Sequence, residues 1–159
     1  MAKQFVAKVG LGVFVRKGEP KPAINSVDEL KKTLLAAKSI VYGDPKLGDS
    51  SGIATQAILD RLGIAAEMKS KTKLVAAGAK GETVVKGDAD IGFDQMSNIA
   101  SNPKIEPLGS LPAALQHYTN YAGGLVAAGK ERDRAKAFIA FLTTPEAQTV
   151  MKSKGFAGL

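Results

Sequence analysis

Short β-branched apolar runs alternate here with stretches of helical period, joined by turns rich in glycine, serine and aspartate, and few folds accommodate that order. The run Val6–Val15, "VAKVGLGVFV", reads as a buried strand. Gly18, Pro20 and Pro22 in "RKGEPKPA" then break it and mark a linker or turn. "NSVDELKKTLLAAKS" opens with a capping box, Ser26 as N-cap and Glu29 three residues on, and Val27, Leu30, Leu34 and Leu35 recur along one helical face. "SIVYG" (Ser39–Gly43) is a second strand. A polar loop follows, then a helix predicted to begin near Gly52 or Ile53, with Ile53, Ala57, Ile58 and Leu62 inward and Gly63 at its end.

The same order continues to the end of the chain. "KLVAAG" (Lys73–Gly78) is strand-like, a short helix ends near Lys86–Gly87, and the strand "ADIGF" leads through a polar turn into a helix at Gln95–Ile99. "KIEPLGSLP" holds one more strand, and "YTNYAGGLVAAG" (Tyr118–Gly129) reads as a long one. In "DRAKAFIAFLT" a stripe of Ala135, Phe138, Ile139 and Leu142 marks a helix; Thr144-Pro145 starts another, and Gly155 stops it. Strands alternating with helices predict an α/β fold: a mixed, largely parallel sheet with flanking helices.

Composition narrows the functions open to such a fold. With 159 residues and 45% apolar side chains the chain suffices for one domain, or for two small lobes sharing a sheet. No apolar run approaches the ~20 residues that span a bilayer. The opening "MAKQFVAKVG" has no apolar stretch followed by a cleavage site, so as written it is no signal peptide, and a chain made in this form is expected in the cytoplasm. There is no cysteine, which excludes disulfides, thiolate metal sites and cysteine nucleophiles. The net charge of +7 favours anionic partners. Nucleic acid is not among those expected: the lysines are scattered, aromatics are only 6%, and no recognition helix or stacking platform is visible.

In open α/β sheets ligands gather at the carboxyl ends of strands, where loops enter helices. Two such junctions stand out, "GDSSG" (48–52) and "GFDQMS" (92–97). A helix start presents free N–H donors and about half a positive charge. Two readings of the first junction stay open. Either Asp49, Ser50 or Ser51 simply caps the helix while Gly48 turns the chain, or the small residues let an anion reach the Ser50, Ser51 and Gly52 amides and hydroxyls. It is not a phosphate-binding Walker loop, because no Gly-Lys-Ser/Thr follows. Enzyme constellations are missing. His117 is the only histidine and lacks metal-ligand spacing, Asp88 and Asp90 read as a solvated turn, and Ser50 and Ser51 lack a nucleophile-elbow setting. Tyr121, inside an apolar run, reads as a core residue. Neither a metal nor a cofactor is predicted.

The ordered segments "KVGLGVFVRKGEPKP", "SVDELKKTLLAAKSIVYGDPKLGDSSG", "LDRLGIAAEMKSKTKL", "VVKGDADIGFDQMSNI" and the C-terminal "AFIAFLTTPEAQTVMKSKG" resemble the periplasmic molybdate-type solute-binding proteins. These belong to the type-2 extracellular solute-binding family of ABC importers. The resemblance implies a non-catalytic binding protein for a small anion, a molybdate-like oxyanion or a small carboxylate. It implies a periplasmic location and an ABC permease as partner. Residues 1–22 then correspond to a crossover strand and linker, 23–115 to a complete second lobe, and 116–159 to a return strand and C-terminal helices of a first lobe lacking its N-terminal part. The Ser50-Ser51-Gly52 helix start resembles the family's backbone site for the anion, Gln95-Met96 its second donor loop, and Tyr121 its hinge tyrosine. Two alternatives accompany this reading: a ligand-free self-associating domain from a truncated gene, and an isomerase-type enzyme on the same scaffold with His117, Asp94 or Tyr121 as acid/base groups. Without further strands to pack on, Phe138, Phe141 and Leu142 are expected to be partly uncovered, which predicts a homodimer, strand- or helix-swapped.

Overall fold

One strand, β1 (Gln4–Arg16), runs through both parts of the sheet in the computed structural model, which describes residues 3–159; Met1 and Ala2 of the first predicted segment lie outside the described residues. The elements after β1 are α1 (Val27–Ala36), β2 (Ile40–Gly43), α2 (Ser50–Arg61), α3 (Ala65–Met68), β3 (Thr72–Val75), α4 (Lys80–Val85), β4 (Ile91–Gln95) and α5 (Met96–Ser101). The chain ends with β5 (Ile105–Ser110), β6 (Tyr118–Gly123), α6 (Arg132–Leu142) and α7 (Pro145–Ser153).

The strand order is β3-β2-β4-β1-β5, with β6 pairing to β1 outside that path. β2 lies parallel to both β3 and β4, as βαβ units require, whereas β1 runs antiparallel to β4, β5 and β6. The sheet is therefore mixed: its parallel portion is β3-β2-β4, and β1 crosses it in the opposite sense. The C-terminal half of β1 lies between β4 and β5, and its N-terminal half, Gln4–Gly10, pairs with β6. Being buried on both faces, β1 needs no polar alternation, which explains its continuous apolar run.

Side chains alternate across the sheet. Val13, Val15, Ile40, Tyr42, Ile91 and Phe93 join Leu30 and Leu34 of α1 and Ile58 and Leu59 of α2 in one core layer. Phe14, Val41, Val84, Ile99 and Ile105 form a smaller layer on the opposite face, under α4 and α5. The Ser26–Glu29 capping box forms as predicted, with each side chain bonded to the other residue's backbone N–H. Thr144 likewise caps α7, with Pro145 following it.

Several predicted boundaries shift, each for a packing reason. α2 starts at Ser50, ahead of the predicted Gly52 or Ile53, because Asp49 caps it. Its buried stripe is Ser51, Gly52, Ala54, Thr55, Ile58 and Leu59, while Ile53 is 53% exposed and Ala57 is exposed. The rotation follows from a close approach: a Cβ on Gly52 would lie 1.9 Å from the Gly43 carbonyl oxygen, so this face of α2 sits directly on the end of β2. The long strand predicted to Gly129 stops at Gly123. On α6, Phe138 is 61% and Phe141 47% exposed, and Leu142 is only half-buried, so the expected uncovering is present.

Replacing Gly52 with alanine should drive α2 off β2, because the obstacle is backbone and cannot rotate away. Overpacking of this kind costs about 1–3 kcal/mol or more. Urea unfolding of Gly52→Ala should show a clearly lowered midpoint; an unchanged midpoint would mean that the contact is not a constraint.

Candidate functional site

The carboxyl ends of β2 and β4 lie side by side, and each leads into a helix through one of the two polar junctions. At the first, the Asp49 Oδ1 accepts the Gly52 N–H at 2.8 Å, and the Asp49 backbone carbonyl accepts the Ile53 N–H at 2.9 Å. Capping and openness therefore apply to different amides. Gly52 is spoken for by the cap, whereas the Ser50 and Ser51 N–H groups meet no protein acceptor among the described residues. The two serines also part company: Ser50 is exposed, and Ser51 is buried with its hydroxyl donating to Asp49 Oδ1 and accepting from the Lys80 ammonium.

At the second junction Gln95 ends β4 and stands as the N-cap of α5 without capping it through its side chain. That side chain turns instead toward the first junction. Its Nε2 donates to Ser50 Oγ at 3.3 Å and to Thr119 Oγ1 at 3.4 Å, and its Oε1 accepts the Tyr121 hydroxyl at 2.8 Å. Three separated pieces of chain, the α2 start, the β4 end and β6, thus meet through neutral donors and acceptors.

Tyr121 is 39% exposed, which corrects its reading as a core residue: β6 is an edge strand with few covering side chains. Its ring is held edge-on by Phe156, with centroids 5.9 Å apart. Met96 is half-buried and packs into the smaller core layer, its thioether against Gly12, where a Cβ would lie 2.1 Å from the sulfur. Its backbone is backed by Gly155, whose positive φ of 87° lets the C-terminal segment press against Met96 and Ser97.

Behind the neutral cluster lies a buried charged one. The Lys80 Nζ bonds Asp49 Oδ2 and Ser51 Oγ, each at 2.9 Å, and approaches Asp94 Oδ1 at 3.2 Å. The side chains of Lys80, Asp49 and Asp94 are 3%, 8% and 9% exposed. Asp94 also accepts the Gln95 N–H at 2.8 Å and the Asn98 side-chain amide at 3.0 Å. A candidate acid/base group in the sequence, Asp94 is occupied on this buried side. His117 is exposed, and its hydrogen bonds are those of its backbone N–H and carbonyl. No cluster of metal-ligating side chains occurs among the described residues.

Burial pushes the Asp49 carboxyl up, but hydrogen bonds from Ser51, Lys80 and the Gly52 N–H outweigh it and hold the group below the usual carboxylate range. Sequence reasoning had Asp49 only as a possible cap and passed over Lys80, Thr119 and Phe156. Nothing local marks them: Lys80 lies 31 residues from Asp49, and Thr119 lies 24 from Gln95.

The model of the family described as bacterial extracellular solute-binding protein matches residues 3–157. The chain belongs to this family. The family is one of extracellular solute-binding proteins. Among curated relatives of this solute-binding protein, aconitate isomerase of a Pseudomonas species is 30% identical over 146 residues, 91% of this chain and 54% of the relative. The chain thus spans about half the length of that protein. A molybdenum ABC transporter candidate of Clostridium difficile has a substrate-binding domain that superposes with a TM-score of 0.82 at 20% identity, covering 99% of this chain and 66% of that one. The periplasmic molybdate-binding protein of Azotobacter vinelandii gives 0.69 at 18% identity, over 98% and 68%. At such identities these structures speak for a shared fold. No helix among the described residues is long and apolar enough to cross a membrane.

The folded state holds Asp49 ionised, so its contribution to stability is present at neutral pH and is lost as pH falls through its lowered folded value. Asp49→Asn keeps a cap acceptor but loses the charge. It should cost about 1.5–3 kcal/mol in urea unfolding at pH 7 and progressively less as pH is lowered through and below the usual carboxylate range. A cost that does not fall with pH would contradict the charge-assisted role.

Proposed function

We propose that this solute-binding protein takes a small anion, a molybdate-like oxyanion or a small carboxylate, at the junction of the α2 start, the β4 end and β6. The reading rests chiefly on the convergence of Ser50, Gln95, Thr119 and Tyr121 from those separate elements. In this reading the ligand replaces the Gln95 contacts to Ser50 and Thr119, which at 3.3 and 3.4 Å are long for hydrogen bonds. The open Ser50 and Ser51 N–H groups and the partial positive charge of α2 then face the anion. Met96 takes part through its backbone turn, its side chain being packed into the smaller core layer, and Gly52 serves by closeness rather than by its committed N–H. Recognition by neutral donors suits an oxyanion that must also be released, since no full positive charge has to be desolvated or left behind. The proposed role is delivery to an ABC permease outside the cell, with residues 23–115 as the lobe carrying most of the contacts.

Calorimetric titration with molybdate, tungstate, sulfate, citrate and both aconitate isomers tests the reading. At least one should bind, and Tyr121→Phe and Gln95→Ala should each weaken it by roughly five- to tenfold, as the loss of a single ligand hydrogen bond does. No heat with any probe at millimolar concentration would refute it.

The 30% identity to aconitate isomerase favours a second reading, turnover of a small polycarboxylate. Against it, Asp94 is engaged behind the site, which leaves the Tyr121 hydroxyl without a partner base there. Proton NMR of cis-aconitate incubated with the protein separates the readings: binding alone leaves the signals unchanged, and appearance of the trans isomer would establish turnover.

The exposed Phe138 and Phe141 support a further element of the proposal, that α6 is covered by a second copy of the chain, with exchanged strands or helices. Burial of each ring is worth about 1.5–3 kcal/mol. Light scattering should give twice the monomer mass, falling to the monomer in Phe138→Glu; a monomer at high concentration would exclude the dimer.

A further inference from the structure

The loop before α2 and the end of β4, which carry the candidate site, have little backbone to hold them to each other, although the β4 end is itself paired with β1. β2 and β4 pair at Ile40↔Ile91 and Val41↔Gly92, and the ladder goes no further. Gly43 to Ser50 on one side and Phe93 to Gln95 on the other extend beyond it, yet the spacing between Ser50 and Gln95 defines the site.

We propose that Lys80 is a positioning residue for the anion site, its ammonium tying the loop that presents Ser50 to the end of β4 that presents Gln95. The inference rests on the anion-binding reading and names what sets its geometry. An ammonium has three protons to donate, and three oxygens surround this one: Asp49 Oδ2, Ser51 Oγ and Asp94 Oδ1. Each carboxylate passes the position onward. Asp49 holds the first turn of α2 through the Gly52 N–H, next to Ser50. Asp94 holds the Gln95 N–H itself and, through Asn98, the first turn of α5. Without Lys80 the two loops bring like charges into one buried space, and the repulsion pushes apart the residues that must close on a ligand. Lys80 is the first residue of α4, outside both loops, so its tie does not depend on either loop's own conformation.

The test compares Lys80→Met with Leu34→Ala, a cavity variant in α1 outside the Lys80 hydrogen-bond group that is also destabilising. The charge-balanced double variant Lys80→Gln/Asp94→Asn keeps the formal charge of the buried group at −1, as in the native protein, but lacks the tie; it is measured as well, so that a fold lost to unpaired charge does not block the experiment. Each protein is studied well below its own melting temperature. Calorimetry with molybdate, sulfate and the aconitates is paired with backbone amide NMR spectra recorded without ligand. The expected result is that both Lys80 variants weaken the best probe by about tenfold or more, while Leu34→Ala stays within about twofold. Amide signals of Ser50–Gly52 and of Gln95–Met96 should move together in the Lys80 variants and stay in place in Leu34→Ala. Unchanged affinity, equal weakening in all variants, or shifts confined to one of the two loops would overturn the proposal. If the native protein binds none of the probes, the anion reading fails on its own, and the amide shifts still decide whether Lys80 couples the loops.

Discussion

β1 is the element on which the rest of the molecule depends. Its C-terminal half is sandwiched between β4 and β5, and its N-terminal half carries β6, so one continuous backbone fixes the two parts of the sheet relative to each other. β6 brings Tyr121 and Thr119 to the site, and β4 brings Gln95; both strands hydrogen-bond to β1. The C-terminal segment braces the same strand. Ala157 donates its N–H to the Lys8 carbonyl, Gln148 bonds the Val6 carbonyl, and Phe156 stands against Tyr121.

Around that spine the electrostatics fall into two layers. The residues that face the proposed ligand space, Ser50, Gln95, Thr119 and Tyr121, are all neutral. The formal charges, Lys80 with Asp49 and Asp94, lie behind them and are nearly dry. Such an ionic group gains little net stability over an apolar core, because desolvation offsets most of the Coulomb attraction. Its consequence here is geometric: the helix cap, the Gln95 backbone and the α4 start share one set of hydrogen bonds.

Local order was highly legible. The Ser26–Glu29 box, the Thr144-Pro145 start and the strands around Val6–Val15 and Ile91 follow from propensity and capping, which act over a few residues. The inward face of α2 was legible in part. Ile58 and Leu62 are buried as periodicity predicts, whereas Ile53 and Ala57 are exposed, and the Gly52 contact with β2 accompanies a face that also turns Ala54, Thr55 and Leu59 inward. Tyr121 sits in an apolar run and still emerges half-open, because burial depends on what covers an edge strand rather than on its neighbours in the chain.

The amino-acid order by itself determined the α/β class, the two polar junctions at strand ends and the absence of thiol chemistry, since each depends on residue type or on spacing within a turn of helix. The tertiary structure alone decided which amides stay open, which serine faces the solvent, and that Lys80 and Thr119 join the site. Lys80 reaches Asp49 across 31 residues and Thr119 reaches Gln95 across 24, and a side chain's direction across such a gap is set by packing, which leaves no periodic trace in the sequence.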